Sequence, residues 1–234
     1  TGESKTKTNI KGNLSTEKMC SVDWFDQKTL DTTNNYTQTL GGTVDAGALT
    51  AAGETGFKGT TGTGDNEISF LAGGLIFDIT QKPIIETKLE ITDVSGTIVF
   101  FGFGDATSET TPEATIDADS GTLRKGDNTA NAVGFVCDAD LGSSSLYCAS
   151  TKTSGAIQSK DTAIDWTDTQ KKILRVELDA SGNAYFYVDG VQKGYIALAV
   201  ADVPLCAIIN YGTRDNDGAN YVYARYLKKW QDLP

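Results

Sequence analysis

Apolar residues along this chain recur mostly at every second position, in short runs broken by clusters of Gly, Asp, Asn, Ser and Thr. Period-two alternation puts successive side chains on opposite faces of an extended strand, so the pattern predicts short β-strands joined by tight turns. The clearest stretch is 173–196. Leu174, Val176 and Leu178 alternate with Arg175 and Glu177, residues 180–183 have turn chemistry, and Phe186 and Val188 alternate with Tyr185 and Tyr187. Asp189-Gly190 is a strong two-residue hairpin signal, and residues 191–196 form the return strand of a three-strand meander.

The same reasoning places other strands. Residues 67–71 and 75–79 flank a Gly73-Gly74 turn and read as a hairpin. Residues 84–93 alternate in part through Ile85, Thr87, Leu89 and Ile91. Residues 96–103 are a near-continuous apolar run, as expected of a strand buried on both faces. Residues 132–138 and 145–150 read as another hairpin, and 204–211 and 219–230 as the last two strands. Residues 104–131, rich in Thr, Asp, Ala and Gly, read as a long connection. Helical periodicity is absent beyond a single turn around 197–201. Ten or more short strands with no strand–helix rhythm predict an all-β, two-sheet antiparallel jelly-roll sandwich.

A chain of 234 residues can form one such domain without disulfides or metals. Residues 1–18 differ from the rest. Lys5, Lys7, Lys11 and Lys18 outnumber Glu3 and Glu17, and only Ile10 and Leu14 are apolar. The segment cannot order itself by burial and is expected to be an extended N-terminal arm ahead of one domain, 19–234. It would lie along its own domain or, through Lys5, Lys7 and Lys11, against an acidic neighbouring subunit.

Net charge is −11, carried by the body. An acidic body repels phosphate backbones and anionic lipid surfaces, which argues against nucleic-acid and membrane partners. No apolar run approaches the roughly 20 residues a membrane helix requires. Histidine is absent. That removes the usual general base, the Ser–His and Cys–His pairs and the commonest transition-metal ligand, and no cofactor is expected. The four cysteines contain no C-x-x-C pair. Cys137 and Cys148 would lie roughly opposite each other in their hairpin, where a disulfide is conceivable, but buried free thiols are favoured.

Three segments carry a family likeness. Residues 175–194, RVELDASGNAYFYVDGVQKG, resemble the strand–turn–strand of concanavalin A-like, laminin G-like jelly rolls, and residues 221–232, YVYARYLKKWQD, look like their final strand. Residues 24–30 are similar to their opening segment, and a closing Trp-Gln-Asp is similar to that of phage virion proteins with this domain. The resemblance covers residues 20–233. It implies two antiparallel sheets packed face to face and leaves function to the sites.

Three candidate sites follow. Glycan hydrolases of this fold use E-x-D-x-x-E on one strand. Here Glu177 and Asp179 are present but Gly182 stands where the second Glu should be, so no catalytic residue is expected. Asp215, Asn216 and Asp217 form an oxygen-rich loop, and Asp138 with Asp140 another. Neither has a full calcium pattern, and turn formation explains both better. Tyr185, Tyr187, Tyr221 and Tyr223 would form an exposed aromatic patch for a partner if their strands share a sheet. These readings predict a non-enzymatic virion protein, a bacteriophage capsid decoration bridging neighbouring shell subunits on the outer surface, with homo-oligomerisation an option. The alternative is an extracellular carbohydrate-binding or lectin-like domain.

Overall fold

A computed structural model of the chain describes residues 18–25, 30–31, 35–40, 45–49, 56–108, 114–142, 144–214 and 220–233. Among these residues, seventeen strands form two antiparallel sheets and one small hairpin. The first sheet runs in spatial order β15 (Val191–Ile196), β14 (Ala184–Val188), β13 (Lys171–Leu178), β6 (Ile84–Ile91), β17 (Tyr221–Asp232), β4 (Phe57–Thr60) and β3 (Asp45–Leu49). β17 is long enough to pair with β4 along its first half and with β1 (Lys18–Asp23) along its second. The second sheet runs β12 (Gln158–Asp165), β11 (Ser145–Thr151), β10 (Ala132–Asp138), β7 (Thr97–Gly104), β16 (Cys206–Thr213), β5 (Ile68–Gly73) and β2 (Tyr36–Leu40). The hairpin is β8 (Ile116–Asp119) and β9 (Thr122–Lys125).

Alternation decides which side chains enter the sandwich. Leu174, Val176 and Leu178 of β13, Phe186 of β14 and Leu89 of β6 are all buried, and they meet Phe101, Phe103 and Phe135 from the second sheet. Phe135 and Phe186 pack edge-on across the gap with ring centroids 5.3 Å apart. Each such side chain contributes on the order of 1.5–3 kcal/mol when fully buried.

β7 and β10 are buried on both faces because a second apolar layer lies outside their sheet. Phe70, Phe100, Val136 and Ile208 project outward from the second sheet and are covered by Ile116, with Leu123 packed against them. Phe100 fits there because Gly102 and Gly134 face each other across β7 and β10. A Cβ on either would collide with a backbone carbonyl and with the Phe100 ring.

The meander, the 84–91 strand, the 97–104 strand and the closing strands lie where the alternation predicts them. Four expectations need correction. Residues 75–79 are not a strand. Both edges of β5 are already taken by β16 and β2, so Phe77 makes only an isolated bridge to Leu205 before a 3-10 turn capped by Asp78. The connection 104–131 contains β8 and β9, joined at Ser120 and Gly121, both with positive φ (50° and 82°). Lys18 belongs to strand β1, held by its register with Asp232, while residues 1–17 lie outside the described residues. Finally, Cys148 faces Phe135 rather than Cys137, because a 3-10 turn at Ala139–Leu141 sets the register, and all four thiols are free.

Candidate functional site

The two outer faces of the sandwich differ. The centre of the second sheet's outer face is covered by the β8–β9 hairpin, and a buried ionic network fixes the hairpin in place. Arg214, at the end of β16, donates to both oxygens of Asp138 at 2.9 and 2.8 Å, to the Ala118 carbonyl of the hairpin at 3.0 Å and towards Asp117 at 3.2 Å. Asp117 also receives the Arg124 guanidinium at 2.8 Å, and Asp138 accepts the Ala118 and Asp140 amides. The Asp117, Asp138 and Arg214 side chains are essentially inaccessible to solvent. Burial pushes the Asp117 carboxyl up, and its bonds to Arg124 and Arg214 pull against that. Both oxygens of Asp117 and of Asp138 are engaged inside the protein, so these acids are structural.

The outer face of the first sheet is lined by polar and aromatic side chains. The outward positions include Tyr195 of β15, Tyr185 and Tyr187 of β14, Lys171, Arg175 and Glu177 of β13, Glu86, Lys88 and Glu90 of β6, Lys58 of β4, and Tyr221, Tyr223 and Lys228 of β17. The cross-strand register builds rows: Tyr195–Tyr185–Glu177, Tyr187–Arg175–Glu86–Lys228, and Lys171–Glu90–Tyr223–Lys58. A bulge between Ala224 and Leu227 keeps both Arg225 and Tyr226 on this face. Arg225 reaches Glu90 at 2.8 Å and Tyr226 donates to Glu86 at 2.9 Å.

Cations lie over four of the rings: Lys58 on Tyr221 at 3.5 Å, Arg175 on Tyr187 at 4.2 Å, Arg225 on Tyr223 at 5.1 Å and Lys228 on Tyr226 at 4.8 Å. Tyr185 and Tyr195 form a separate ring pair, 5.2 Å between centroids. At the β1 edge Trp24 is 54% exposed and stands 5.5 Å from Tyr226. Beside it opens a pocket of about 250 Å³ lined by Asp23, Trp24, Asn35, Tyr36 and Lys229. Its floor is fixed, since Asp23 accepts the Tyr36 hydroxyl at 2.8 Å and the Phe25 amide. Burial lowers the Lys229 ammonium below the usual lysine range.

The structure thus puts Tyr185, Tyr187, Tyr221 and Tyr223 in one sheet and on one face, as two pairs rather than one patch. β13 and β6 stand between β14 and β17, a separation of roughly 14 Å at the usual strand spacing. Asp215, Asn216 and Asp217, like Lys5, Lys7 and Lys11, lie outside the described residues. Among the described residues no cluster of Cys, Asp or Glu could hold a metal ion. Asp138 and Asp140 belong to the network that pins the hairpin.

Glu177 and Asp179 are both engaged. Glu177 contacts Arg175 at 3.0 Å, a charge contact rather than a hydrogen bond because the Arg175 Nε–H is not aimed at it. Asp179 is a turn anchor. Burial would raise its carboxyl, but donation from the Asn183 side chain and amide, the Ser181 amide and the Tyr185 hydroxyl outweighs this and holds it below the usual range. Trp24 was missed as a site residue because its exposure depends on the pairing of β1 with β17, which no local pattern announces.

No protein-family model matches the chain, and no curated protein sequence does. Similar solved structures exist. The Emp47p carbohydrate recognition domain aligns with a TM-score of 0.60 at 13% identity, covering 92% of this chain and 95% of that one. A glycoside hydrolase family 16 endo-glucanase from Bacteroides ovatus gives 0.61 at 11% identity, covering 91% and 99%. A structure described with endo-acting O-glycanases of the human gut microbiota that initiate mucin breakdown gives 0.62 at 14%, covering 89% and 97%. The fold is therefore a concanavalin A-like jelly roll, of the kind found in lectins and glycoside hydrolases. None of these three likenesses points to a virion.

Proposed function

We propose that this domain is a non-catalytic carbohydrate-binding module whose sugar surface is the outer face of the first sheet. The observation that carries this is Trp24, a half-exposed indole standing over a pocket lined by Asp23, Asn35 and Tyr36 and continuous with Tyr226. An aromatic face beside fixed polar groups suits a ring with one apolar side and equatorial hydroxyls. The printed descriptions of two structural neighbours, a carbohydrate recognition domain and O-glycanases that initiate mucin breakdown, support a glycan as the ligand. The engagement of Glu177 and Asp179 supports the non-catalytic part, because the chemistry needs one carboxyl that gives up a proton and a second that is free to attack the sugar, whereas Glu177 is held by Arg175 and Asp179 anchors a turn. The shell-bridging virion role draws on the closing Trp-Gln-Asp likeness, the missing catalytic residues and the basic N-terminal segment, and none of the three structural neighbours described above supports it.

The test is titration against mucin O-glycan and β-glucan oligosaccharides, followed by calorimetry. Wild type should bind at least one of them saturably. Trp24→Ala should weaken that binding roughly tenfold or more, as truncating an aromatic anchor does. Its circular dichroism should be unchanged, because the side chain is half exposed. No saturable binding to any glycan in either set would overturn the reading.

A further inference from the structure

Charge on the outer face of the first sheet runs against the protein as a whole. Across β4, β6, β13 and residues 221–228 of β17, its outward positions hold six cations, Lys58, Lys88, Lys171, Arg175, Arg225 and Lys228, against three carboxylates, Glu86, Glu90 and Glu177. The whole chain carries −11. The acidic groups gather instead around the covered second sheet, where Asp117, Asp119, Asp138 and Asp140 surround Arg214 and Arg124. On the open face all three carboxylates are neutralised: Glu86 by Lys228 at 3.0 Å, Glu90 by Arg225 and Lys171 at 2.8 and 3.5 Å, Glu177 by Arg175 at 3.0 Å. Lys88, in the middle strand of the face and paired across to Ile173, has no carboxylate in reach among the described residues.

We infer that this face takes an acidic glycan, one whose sugars carry carboxylates as uronic acids do. The inference rests on the carbohydrate-binding reading above and names its ligand class. Lys88 supplies the uncompensated charge, and Arg175 lies one row away on the neighbouring strand. A guanidinium offers a paired-donor geometry that matches a carboxylate. Four of the six cations, Lys58, Arg175, Arg225 and Lys228, already stand over tyrosine rings, so their side chains are held in place before a ligand arrives. That lowers the entropy lost on binding. Trp24 and the Tyr185–Tyr195 pair remain open at opposite sides of the sheet to meet sugar rings. The acidic remainder of the molecule repels a polyanion and so confines it to this face.

The probes are an oligogalacturonate, its neutral galactose counterpart of equal length, and a single-stranded DNA of similar charge, each at low and at high salt. The oligogalacturonate should bind about tenfold tighter than the neutral sugar at low salt, and screening should remove most of that preference at high salt. Lys88→Gln combined with Arg175→Gln should abolish the preference, so that the two sugars bind alike, and Lys88→Arg should retain it. Equal binding of both sugars would overturn this inference and leave the carbohydrate-binding reading standing. Binding of neither would sink both. DNA binding as tight as the uronate, or a preference that survives the double substitution, would show respectively a general polyanion surface or a different face, and either outcome rejects the proposal.

Discussion

The cysteines show how one residue type takes its properties from position. Cys137, Cys148 and Cys206 are buried, and burial pushes each thiol up to about 12. Cys20 is exposed on β1. Thiolate, not thiol, is the nucleophile, so a disulfide-exchange reagent at neutral pH should modify one cysteine quickly in the native protein and the other three only on unfolding. Two or more fast thiols would mean that a buried strand opens readily. The same shifts set a pH dependence. Because the folded values lie above the unfolded one, about 8.5, the unfolded chain loses its thiol protons first as pH rises. Stability from these groups is complete below about 8.5 and lost between there and about 12. Replacing Cys206 by Ala should flatten the alkaline fall in the urea midpoint, and an unchanged slope would remove Cys206 from the account.

At the scale of elements, paired glycines control what the second sheet can carry. Gly102 and Gly134 face each other, and the Phe100 ring covers the space their missing side chains leave. Gly134→Ala should therefore destabilise the fold by about 1–3 kcal/mol, the usual penalty of overpacking, read as a lower urea midpoint with an unchanged slope. A neutral result would mean that Phe100 can move aside. This pairing also marks the limit of what the sequence discloses. The meander at 171–196 was legible because each strand alternates and Asp189-Gly190 closes the turn. The strand at 97–104 was legible as an apolar run. β8 and β9 were not, because four-residue strands offer two inward positions each, too few for a period, and the surface they pack on is the outer face of the second sheet. β12, rich in polar residues, is an edge strand with little to bury, so it shows almost no pattern. The candidate site divides the same way. The outward tyrosines could be read from alternation, but the register that separates them, and the edge that exposes Trp24, are long-range facts.

The molecule as a whole has four layers: the open first sheet, the main core, the second sheet, and the hairpin over the outer apolar layer. The last two layers are joined by a separate small core and by Arg214, which reaches from β16 to Asp138, Asp117 and the Ala118 carbonyl. This arrangement leaves one face free for binding and commits the other to structure. It also predicts how the protein loosens. Arg214→Met keeps the bulk of the side chain but leaves Asp138 buried without its cation, and breaking a buried pair in this way costs about 3–5 kcal/mol. The loss should fall unevenly, because among the described residues the hairpin packs on β7, β10 and the turn at Ala139–Leu141. Hydrogen exchange should then show amides of β8 and β9 losing protection, Ala118 among them since its N–H donates to Asp138. Amides of β13 and β14, whose side chains face the main core, should keep most of theirs. Adding Asp138→Asn should recover part of the stability by removing the stranded charge. Uniform loss of protection across both sheets would instead mean that the hairpin and the sandwich open as one unit, and that the covered face contributes to the stability of the open one.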